Sequence, residues 1–448
     1  MMRCSLAVQY SSPPAPERPE AGRRSGLDDI DGEGTEANLA LIVQKYGGTS
    51  VGSIERIEAV AKRVKATRAA GHDVIVVVSA MSGETNRLLD LAGKISKRPD
   101  ARESDVLVAT GEQVSVALVS MALMEIGQPA QSFLGYQIPV RTSNVYGRAR
   151  IEEIPSQALL ECTRRGCVPV VAGFQGVDGS GGITTLGRGG SDTSAIAVAA
   201  AVKADVCEIY TDVDGVYTTD PRICPEARKL DRISFDEMLE LASLGAKVLQ
   251  IRSVECAKRY AVPVHVRTSF SDVEGTWVVE EDSSMENVLV SGVAVDRNEA
   301  KITLLRVPDR PGLASKIFSP IAGAHIIVDM IIQNASEDGF TDLTFTVPRG
   351  DHARAVEMVE QLAREIGAKG VRSDTHVAKV SVVGLGMRSH AGVAQRIFEV
   401  LADEGINVQM ISTSEIKVSV VIDEKYSELA VRVLHKALIE DGFREETT

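Results

Sequence analysis

The chain has 448 residues, of which 44% are hydrophobic and 25% are charged. This composition is typical of a soluble globular protein with room for about three domains, and it excludes global disorder. The formal net charge of -13 argues against nonspecific binding to nucleic acid or to an anionic membrane as the main activity, whereas anionic small molecules need only local positive charge.

Cysteine and histidine usage argues against two further classes of protein. The six cysteines are too few for a disulfide framework in so long a chain and form no CxxC pair, so a reducing compartment fits best. The seven histidines include no HExxH motif, which leaves a zinc hydrolase with little support. No apolar run approaches the roughly 20 residues that a membrane helix needs. We therefore expect a cytoplasmic protein.

Residues 1–38 contain several prolines, an acidic stretch and few apolar side chains, which predicts a disordered N-terminal extension. The apolar segment Leu6-Ala7-Val8 is too short for a signal peptide, and the acidic residues disfavour a transit peptide. A start codon assigned upstream of the natural one would explain the extension equally well.

From residue 39 to about residue 275, apolar runs alternate with segments of helical spacing. Runs that are apolar at nearly every position are typical of strands covered on both faces. The predicted strands are 39–43, 74–78, 168–171 and 206–210, and the predicted helices include 54–64, 191–202 and 236–244. Strands that alternate with helices predict an α/β domain with a mostly parallel sheet.

The last third of the chain is an internal duplication. Gly312 and Ile317-Phe318 of the first copy match Gly392 and Ile397-Phe398 of the second. Both copies predict the order strand, helix, strand, strand, helix. The predicted elements are 301–307, 312–322, 326–332, 341–347 and 353–366 in the first copy, and 379–383, 392–403, 406–411, 416–422 and 429–439 in the second. Units of this size would be marginal alone and should pack side by side.

Two glycine-rich turns stand where predicted strands end and helices begin. Gly47-Gly48-Thr49-Ser50 follows Lys45, and the second turn is Gly187-Arg188-Gly189-Gly190-Ser191-Asp192. Glycines let the backbone approach a ligand closely, and helix N-termini offer free N–H groups to an anion. A single turn of this kind could be an ordinary tight connection. Because each turn also carries a cation, Lys45 or Arg188, we favour phosphate or carboxylate binding, although neither fits the P-loop or dinucleotide pattern.

A third polar segment, Thr211–Arg222, follows the predicted strand 206–210. Its Asp-x-Asp-Gly sequence resembles the start of a calcium loop, but Ile223 stands where such a loop needs a glutamate, which argues against calcium. Loops at the carboxyl ends of parallel strands bind ligands in α/β proteins. The aromatic and polar residues of this segment would suit a nucleotide.

Four segments in this order resemble the signature segments of the aspartate kinases, which belong to the amino-acid kinase family: Lys45–Ser50, Leu186–Asp192, Thr211–Arg222 and Gly245–Val248. The duplication resembles the paired regulatory ACT domains of the same enzymes, so that the resemblance extends from Leu41 to about Ile439. It implies an amino-acid kinase catalytic domain at 39–275, whose mostly parallel sheet lies between helices. It also implies two α+β, ferredoxin-like ACT domains at 285–370 and 376–445.

The family transfers the γ-phosphoryl group of ATP, with Mg²⁺, to the side-chain carboxylate of L-aspartate, which begins lysine, threonine and methionine biosynthesis. That carboxylate has a pKa of about 3.9 and is already ionised at pH 7, so no general base is needed. Because two anions must meet, the site must neutralise charge and align the reacting atoms. The resemblance implies that Lys45 and Lys247 contact the phosphates and that Asp192 orients these lysines.

The resemblance also implies roles for further residues. Arg188 would bind the aspartate carboxylate through its planar guanidinium, and Glu112 would bind the substrate ammonium. Hydroxyl contacts to aspartate would come from Ser79, Thr85 and Ser191. ATP would be bound by Lys45, Tyr46, Gly47, Gly48, Thr211, Asp212, Tyr217, Arg222 and Lys247, with Ser50 as a further donor; no residue is assigned as a metal ligand. Without the resemblance, Glu112 would be an ordinary acid at a helix N-terminus, Ser79 or Thr85 a helix cap, and Lys247 a solvated lysine.

Within the duplication, the first copy carries the residues that match an effector site. Asp309, Gly312, Ala314, Gln333 and Asn334 match positions where the family binds an inhibitory amino acid, lysine or threonine or both. Ser389 stands opposite Asp309 in the second copy, so we expect the two copies to be unequal as ligand sites. Two purely structural modules are the alternative.

The family also pairs ACT strands across subunits, which implies a homo-oligomer. Met285 is a candidate internal start for a shorter subunit, or an ordinary linker methionine.

Two other functions stay open at this point. Another amino-acid kinase, acting on glutamate, acetylglutamate, carbamate or UMP, is disfavoured by the ACT pair and by the combination of Glu112 with Arg188. A non-catalytic amino-acid sensor would keep the modules and lose turnover. The presence of Lys45, Arg188, Asp192 and Lys247 argues against a sensor.

Overall fold

The computed structural model of the chain describes residues 39–244, 248–282, 285, 288–334, 338–388, 390 and 392–442. The predicted N-terminal extension lies outside the described residues, and so do Gly245, Ala246, Lys247, Ser389 and Ala391. The predicted fold class is confirmed, because an α/β domain with a large, mostly parallel sheet is followed by two α+β modules.

The first domain contains twelve strands and eight helices among the described residues. Its strands are β1 (Leu41–Tyr46), β2 (Asp73–Val78), β3 (Ala130–Phe133), β4 (Arg141–Thr142), β5 (Ile151–Glu153), β6 (Val168–Ala172), β7 (Gln175–Val177), β8 (Ile183–Thr185), β9 (Val206–Thr211), β10 (Arg232–Ser234), β11 (Val264–Thr268) and β12 (Thr276–Val279). Its helices are α1 (Ile54–Ala69), α2 (Glu84–Ile95), α3 (Ala101–Val108), α4 (Thr110–Glu125), α5 (Gln157–Arg164), α6 (Gly190–Val202), α7 (Phe235–Ser243) and α8 (Ile251–Tyr260).

The central sheet has eight strands in the order β10-β12-β11-β9-β1-β2-β6-β3. All neighbours are parallel except β11 and β12. Helices α1 and α4 cover one face, and α6, α7 and α8 cover the other. Both faces of β2 and β6 are therefore buried, as their continuous apolar runs predict. The strand β1 lies between β2 and β9, so the connections on its two sides diverge at its carboxyl end, which is where such sheets bind ligands.

A small second sheet, in the order β5-β4-β7-β8, delivers the second glycine-rich turn to the same region. The buried carboxylate of Asp105 in α3 accepts hydrogen bonds from the backbone N–H and the hydroxyl of Thr185, both at 2.7 Å, and from the backbone N–H of Gly147. Charge-assisted bonds to a buried carboxylate are strong. They hold the end of β8 in place just before the chain turns into α6.

One helical stretch, Ala101–Glu125, is long and apolar enough to cross a membrane by length and composition. Half of its most apolar window is buried inside the protein. Val116, Val119 and Leu123 pack in the core of the first domain. The stretch comprises α3 and α4, and we interpret it as a core helix pair.

The C-terminal region forms a single six-stranded antiparallel sheet covered by helices. Its elements are β13 (Gly292–Pro308), α9 (Leu313–Gly323), β14 (Ile331–Gln333), β15 (Phe340–Pro348), α10 (His352–Ile366), β16 (Gly370–Val383), α11 (Val393–Asp403), β17 (Met410–Ser414), β18 (Lys417–Asp423) and α12 (Ser427–His435), with a π-helical turn at Lys436–Glu440. The strand order is β14-β15-β13-β16-β18-β17, so that the long strands β13 and β16 run through both modules.

The predicted strand 326–332 is a strand only over its last residues. Ile326 instead packs in the core beneath α9, and its N–H bonds to the carbonyl of Ile321 in that helix. The preceding His325 has a positive φ of 59°, which turns the chain out of α9. The start of the apolar run therefore packs in the core between helix and sheet, and only its end pairs with β15 as strand β14.

Candidate active site

A cavity of about 320 Å³ lies at the carboxyl ends of β1 and β2, beside the N-terminus of α6. Its walls come from the turn after β1, the loop after β2, the first turn of α4 and the second glycine-rich turn. The lining residues are Lys45, Gly48, Ser79, Ala80, Met81, Ser82, Gly83, Thr85, Glu112, Phe174, Gly187, Arg188, Gly189, Gly190, Ser191 and Asp192. Seven side chains from the sequence analysis thus meet in one place: Lys45, Ser79, Thr85, Glu112, Arg188, Ser191 and Asp192.

The central ion pair of the cavity joins Lys45 near the end of β1 to Asp192 in the first turn of α6. The Lys45 Nζ lies 2.6 Å from the Asp192 Oδ1, and both side chains are largely buried. A buried ammonium needs a carboxylate partner, because an unpaired charge would be strongly disfavoured there. The pair therefore holds a positive charge at a fixed point of the cavity wall.

Glu112 is a buried carboxylate with an unused oxygen. Its Oε1 accepts a hydrogen bond of 3.0 Å from the backbone N–H of Ala80, whereas its Oε2 has no hydrogen-bond partner. Burial raises the pKa of Glu112 to about 7, and the bond from Ala80 opposes part of this rise. A buried acceptor without a partner is costly. The site therefore favours a ligand that brings a donor, such as an ammonium group.

The glycines of both turns allow a close approach that larger residues would block. A Cβ at Gly48 would lie 2.8 Å from the carbonyl oxygen of Ala80. Gly189 has a φ of +69°, and a Cβ there would lie 1.9 Å from the Cγ of Gln250. The turn before α6 therefore needs glycine both for its conformation and for its packing. Gly190, Ser191 and Asp192 line the cavity, so it lies beside the N-terminus of α6, where a helix favours an anion.

Arg188 is the cation of the site that has no partner among the described residues. Its side chain is exposed and makes no hydrogen bond or ion pair with any residue in the described ranges. A guanidinium with its five donors unused can bind a carboxylate bidentately. It differs from Lys45, whose ammonium is already paired with Asp192.

The predicted nucleotide segment lies outside the lining of this cavity. Tyr217 donates its hydroxyl to the carboxylate of Asp214, at 3.0 Å, and Arg222 pairs with Asp220 at 2.7 Å. Thr211 ends β9, and Asp212 beside it is exposed. The Tyr46 side chain is fully buried and stacks on Tyr210, with ring centroids 4.8 Å apart, so only its backbone is near the glycine-rich turn.

The cavity also contains residues that the sequence analysis missed, namely Ala80, Met81, Ser82, Gly83 and Phe174. The backbone N–H of Ser82 donates to the carbonyl of Gly48, at 3.1 Å, and ties the loop after β2 to the first turn. The available signal was position, since Ala80, Met81, Ser82 and Gly83 follow Ser79 at the end of the buried strand β2, and Phe174 follows the buried strand β6.

The predicted effector residues lie at one end of the first module. Gly312 has a φ of +85° and caps α9, with Asp309 and Ala314 on either side of it. Gln333 ends β14, and the Asn334 carbonyl accepts a bond of 2.7 Å from Thr341. All five predicted residues are exposed. Lys247 lies outside the described residues, so its predicted role stays a prediction.

Comparison with known proteins supports both parts of this architecture. Residues 40–268 match the amino acid kinase family, and residues 301–367 and 380–438 each match an ACT domain. The chain is 60% identical over 401 residues to an aspartokinase of Pseudomonas aeruginosa, covering 89% of this chain and 97% of that one. It is 50% identical over 403 residues to an aspartokinase of Corynebacterium glutamicum, covering 89% and 96%.

Solved structures give the same result. The fold matches E. coli aspartokinase III in complex with aspartate and ADP, described as the R-state, with a TM-score of 0.74 and 28% identity over 89% of this chain and 99% of that one. A T-state structure of that enzyme in complex with lysine and aspartate has a TM-score of 0.70 and 28% identity, with the same coverage.

Proposed function

The chain belongs to the amino acid kinase family, in which its relatives are aspartate kinases, and we propose that its cavity binds L-aspartate for phosphorylation by ATP. The observation that carries this proposal is the meeting of Lys45, Arg188 and Glu112 in one cavity of about 320 Å³. These groups complement the two carboxylates and the ammonium of an acidic amino acid. The product would be 4-phospho-L-aspartate.

The chain's residues would act by binding and orientation. Arg188 holds the α-carboxylate, and Glu112, through its unused oxygen, holds the ammonium. The side-chain carboxylate is then directed towards Lys45, with hydroxyls from Ser79, Thr85 and Ser191 around the substrate. Because this carboxylate is already ionised, the site needs no base, and Asp192 serves to hold Lys45 in position.

The nucleotide would bind on the other side of Lys45, with the N–H group of Gly48 towards its phosphates. Gly47 would lie beside them, since its own N–H donates to the carbonyl of Tyr210, at 3.2 Å. Ser50, Thr211, Asp212, Tyr217 and Arg222 are the further candidate contacts, together with the backbone of Tyr46. Lys247 would approach the phosphates from the segment after α7. This arrangement brings cations to both ends of the transferred phosphoryl group.

We infer Mg²⁺ as the metal that accompanies ATP. Among the residues that the structure describes, the cavity is lined by two carboxylates, Glu112 and Asp192, and one oxygen of Asp192 is paired with Lys45. Mg²⁺ is usually held by phosphates and one or two carboxylates, and Asp192 fits that limited role. When bound, the ion would neutralise phosphate charge.

We also propose feedback control through the ACT modules. An E. coli relative has been solved in complex with lysine, and the exposed end of the first module carries Asp309, Gly312, Ala314, Gln333 and Asn334. Lysine, alone or together with threonine, would act by binding one global state better than another. The role in lysine, threonine and methionine biosynthesis, the homo-oligomer and the cytoplasmic location stay predictions.

A hydroxamate-trapping assay with ATP, Mg²⁺ and aspartate tests the function, because hydroxylamine captures an acyl phosphate. We expect Lys45→Ala to lower kcat by at least about a thousandfold, since it removes a charge that acts at the transferred phosphoryl group. Lys62→Ala, on the exposed face of α1, is the matched control and should leave kcat unchanged. Unfolding curves of both variants separate a catalytic loss from a folding defect.

The same assay distinguishes the alternatives. Turnover with glutamate or acetylglutamate and none with aspartate would assign another amino-acid kinase. Absence of turnover at high enzyme concentration with every acceptor would indicate a sensor. Full activity of Lys45→Ala would contradict the role of that lysine.

A further inference from the structure

Three potential metal ligands meet at the boundary between the first domain and the second ACT module. Cys224 follows the predicted nucleotide segment, whereas His435 ends α12 and Glu440 ends the π-helical turn. The Cys224 Sγ, a His435 ring nitrogen and a Glu440 carboxylate oxygen all lie within 4.8 Å of one another. We propose that these residues form a binding site for a divalent transition metal of the zinc class.

The distances in the group are close to those of a metal shell. The Cys224 Sγ lies 3.5 Å from the His435 Nδ1. A tetrahedral zinc with Zn–S of about 2.3 Å and Zn–N of about 2.0 Å sets its sulfur and nitrogen ligands about 3.5 Å apart. The Glu440 Oε1 lies 2.7 Å from the same Nδ1 and would have to move outward by about half an ångström to reach an ideal N···O separation of about 3.3 Å.

The local backbone brings the ligands of α12 together. His435 and Glu440 are five residues apart, which in an α-helix separates side chains by more than a full turn. The π-helical turn at Lys436–Glu440 lowers that angular separation, and the N–H of Asp441 bonds to the carbonyl of Lys436 in the matching i to i+5 pattern. Single π-turns are rare and frequently occur at functional sites.

A neighbouring side chain would fix the imidazole in the orientation that metal binding requires. The His435 Nε2 lies 2.9 Å from the hydroxyl oxygen of Thr218, and that oxygen also accepts the backbone N–H of Arg228. The 2.7 Å contact between Nδ1 and the Glu440 carboxylate is a hydrogen bond when Nδ1 carries the proton. Metal binding requires the other tautomer, in which Nε2 carries the proton and donates to the Thr218 oxygen while the Nδ1 lone pair faces the metal. Metal-binding histidines almost always donate their second nitrogen in this way.

Charge and burial fit a divalent cation as well. His435 is fully buried and Cys224 nearly so, and Glu440 is half-buried. A thiolate and a carboxylate would together balance the charge of +2 on the metal ion. Burial favours such a neutral site over one with a net charge. Thiolate and imidazole ligands select zinc-like ions over Mg²⁺, which prefers oxygen ligands, so the Mg²⁺ that accompanies ATP would not compete. The exposed Glu226 carboxylate, 3.5 Å from the Cys224 Sγ, borders the remaining coordination position.

A metal at this position would attach the regulatory region to the nucleotide segment. Thr218 also accepts the N–H of Val293 through its carbonyl, at 2.8 Å, and β13 begins at that point. Binding of a ligand to the folded state alone stabilises that state. The metal would therefore hold α12 and the Thr218–Cys224 loop together.

The test uses the full chain after chelator treatment and titration with Co²⁺ and Zn²⁺ in excess Mg²⁺. We expect one equivalent of Co²⁺ to bind with a thiolate-to-cobalt charge-transfer band, and Zn²⁺ to displace it and raise the melting temperature. Cys224→Ser should abolish the band and weaken Zn²⁺ binding by at least about a hundredfold, and Thr218→Val should weaken it by about tenfold. Cys256→Ser is the matched control, since Cys256 is a free cysteine away from the cluster, and it should retain the band.

Glu440→Gln is the second test variant, for use if Cys224→Ser fails to fold. We expect it to retain the band and to lose most of the zinc affinity. Failure of the wild-type chain to bind Co²⁺ or Zn²⁺ stoichiometrically would overturn the proposal, as would wild-type zinc affinity in the Cys224→Ser and Glu440→Gln variants. These readouts are independent of turnover, so they do not depend on the proposed kinase activity.

Discussion

Glu112 is a residue whose burial lowers stability and at the same time prepares it for binding. Because burial raises its pKa to about 7, well above the value of an unfolded chain, the ionised form is disfavoured in the folded state. The folded protein therefore loses stability through this group as the pH rises from below about 4.5 to above about 7. An ammonium ligand would recover this free energy by pairing with the carboxylate.

We predict that Glu112→Gln stabilises the ligand-free protein at pH 8 by at most about 3 kcal/mol, and by much less at pH 5. The same change should raise the KM for aspartate by about tenfold or more, because a charged hydrogen bond is lost. In the wild type the KM should fall as the pH rises through 7, and in the variant it should not. Urea unfolding and initial rates measure both effects, and an unchanged pH profile in Glu112→Gln would contradict the assignment.

The individual site residues differ in how far sequence could predict them. Lys45 lies near the end of a strand with a clear apolar pattern, and Arg188 and Asp192 lie where a glycine-rich turn enters a helix, so both segments could be assigned to a ligand site from sequence. The role of Glu112 could be predicted only from the resemblance, because an acidic residue in the first turn of a helix is common in any protein. For Tyr46, the motif did not predict the direction of the side chain. Packing in the core buries that side chain against Tyr210.

At the level of elements, α7 links the kinase domain to the second ACT module. Its N-cap Ser234 forms a capping box with Glu237. The Glu237 carboxylate also accepts the N–H of Leu385, at 3.1 Å, and the hydroxyl of Ser291. Further along α7, Glu240 pairs with Lys417 of β18, at 2.7 Å. Lys247, which follows α7 in the chain, is predicted to contact the phosphates, so these contacts would offer a physical route from the regulatory region to the proposed phosphate site.

We predict that Lys417→Ala lowers the maximal inhibition by the effector amino acid without changing kcat in its absence. The ion pair is about three-quarters buried, so its loss should cost at most about 1 kcal/mol of stability. Glu237→Ala should cost about 3 kcal/mol, because it removes a cap and several buried hydrogen bonds. Inhibition curves and denaturant unfolding check both. Lys425→Ala, in the same module but paired only within it, is the control, and an equal loss of inhibition there would refute the route.

The elements with continuous or periodic apolar patterns were largely predictable, and those shaped by tertiary contacts were not. Strand β2 agrees with its predicted run, and α11 (Val393–Asp403) begins one residue after its prediction. The predicted strand 379–383 is only the end of β16, whose first residues pair with β13 and show no apolar alternation. The Cys224, His435 and Glu440 cluster also escaped sequence reasoning, because its members come from elements 211 residues apart in the chain.

For the whole molecule, the two modules differ where an effector would bind. The first presents an exposed Asp309 before Gly312, whereas the second has a serine at the matching position, outside the described residues. A carboxylate at the start of the site would pair with the ammonium of an amino acid. We therefore expect the first module to dominate the response.

We predict that Asp309→Ala raises the concentration of lysine or threonine needed for half-maximal inhibition by about tenfold or more, since a charged contact is lost. Basal kcat should stay unchanged, because Asp309 is not among the residues that line the cavity. Inhibition by each amino acid singly and in combination identifies the effector. Unchanged inhibition in Asp309→Ala would place the effector elsewhere, and Asp338→Ala, an exposed acid of the same module, is the control.

The course of β13 determines where a self-sufficient regulatory fragment could begin. Its first residues, Gly292 to Asp296, pair with β16 opposite β18, and Val290 and Val293 pack in the core of the second module. Met285 packs with Leu385 and Ile416 of that same module. Translation initiated at Met285 would therefore yield a polypeptide that holds every strand of the six-stranded sheet. A polypeptide beginning after Asp296 would retain both helices of the first module. It would lack the part of β13 that pairs with the end of β16 in the second module.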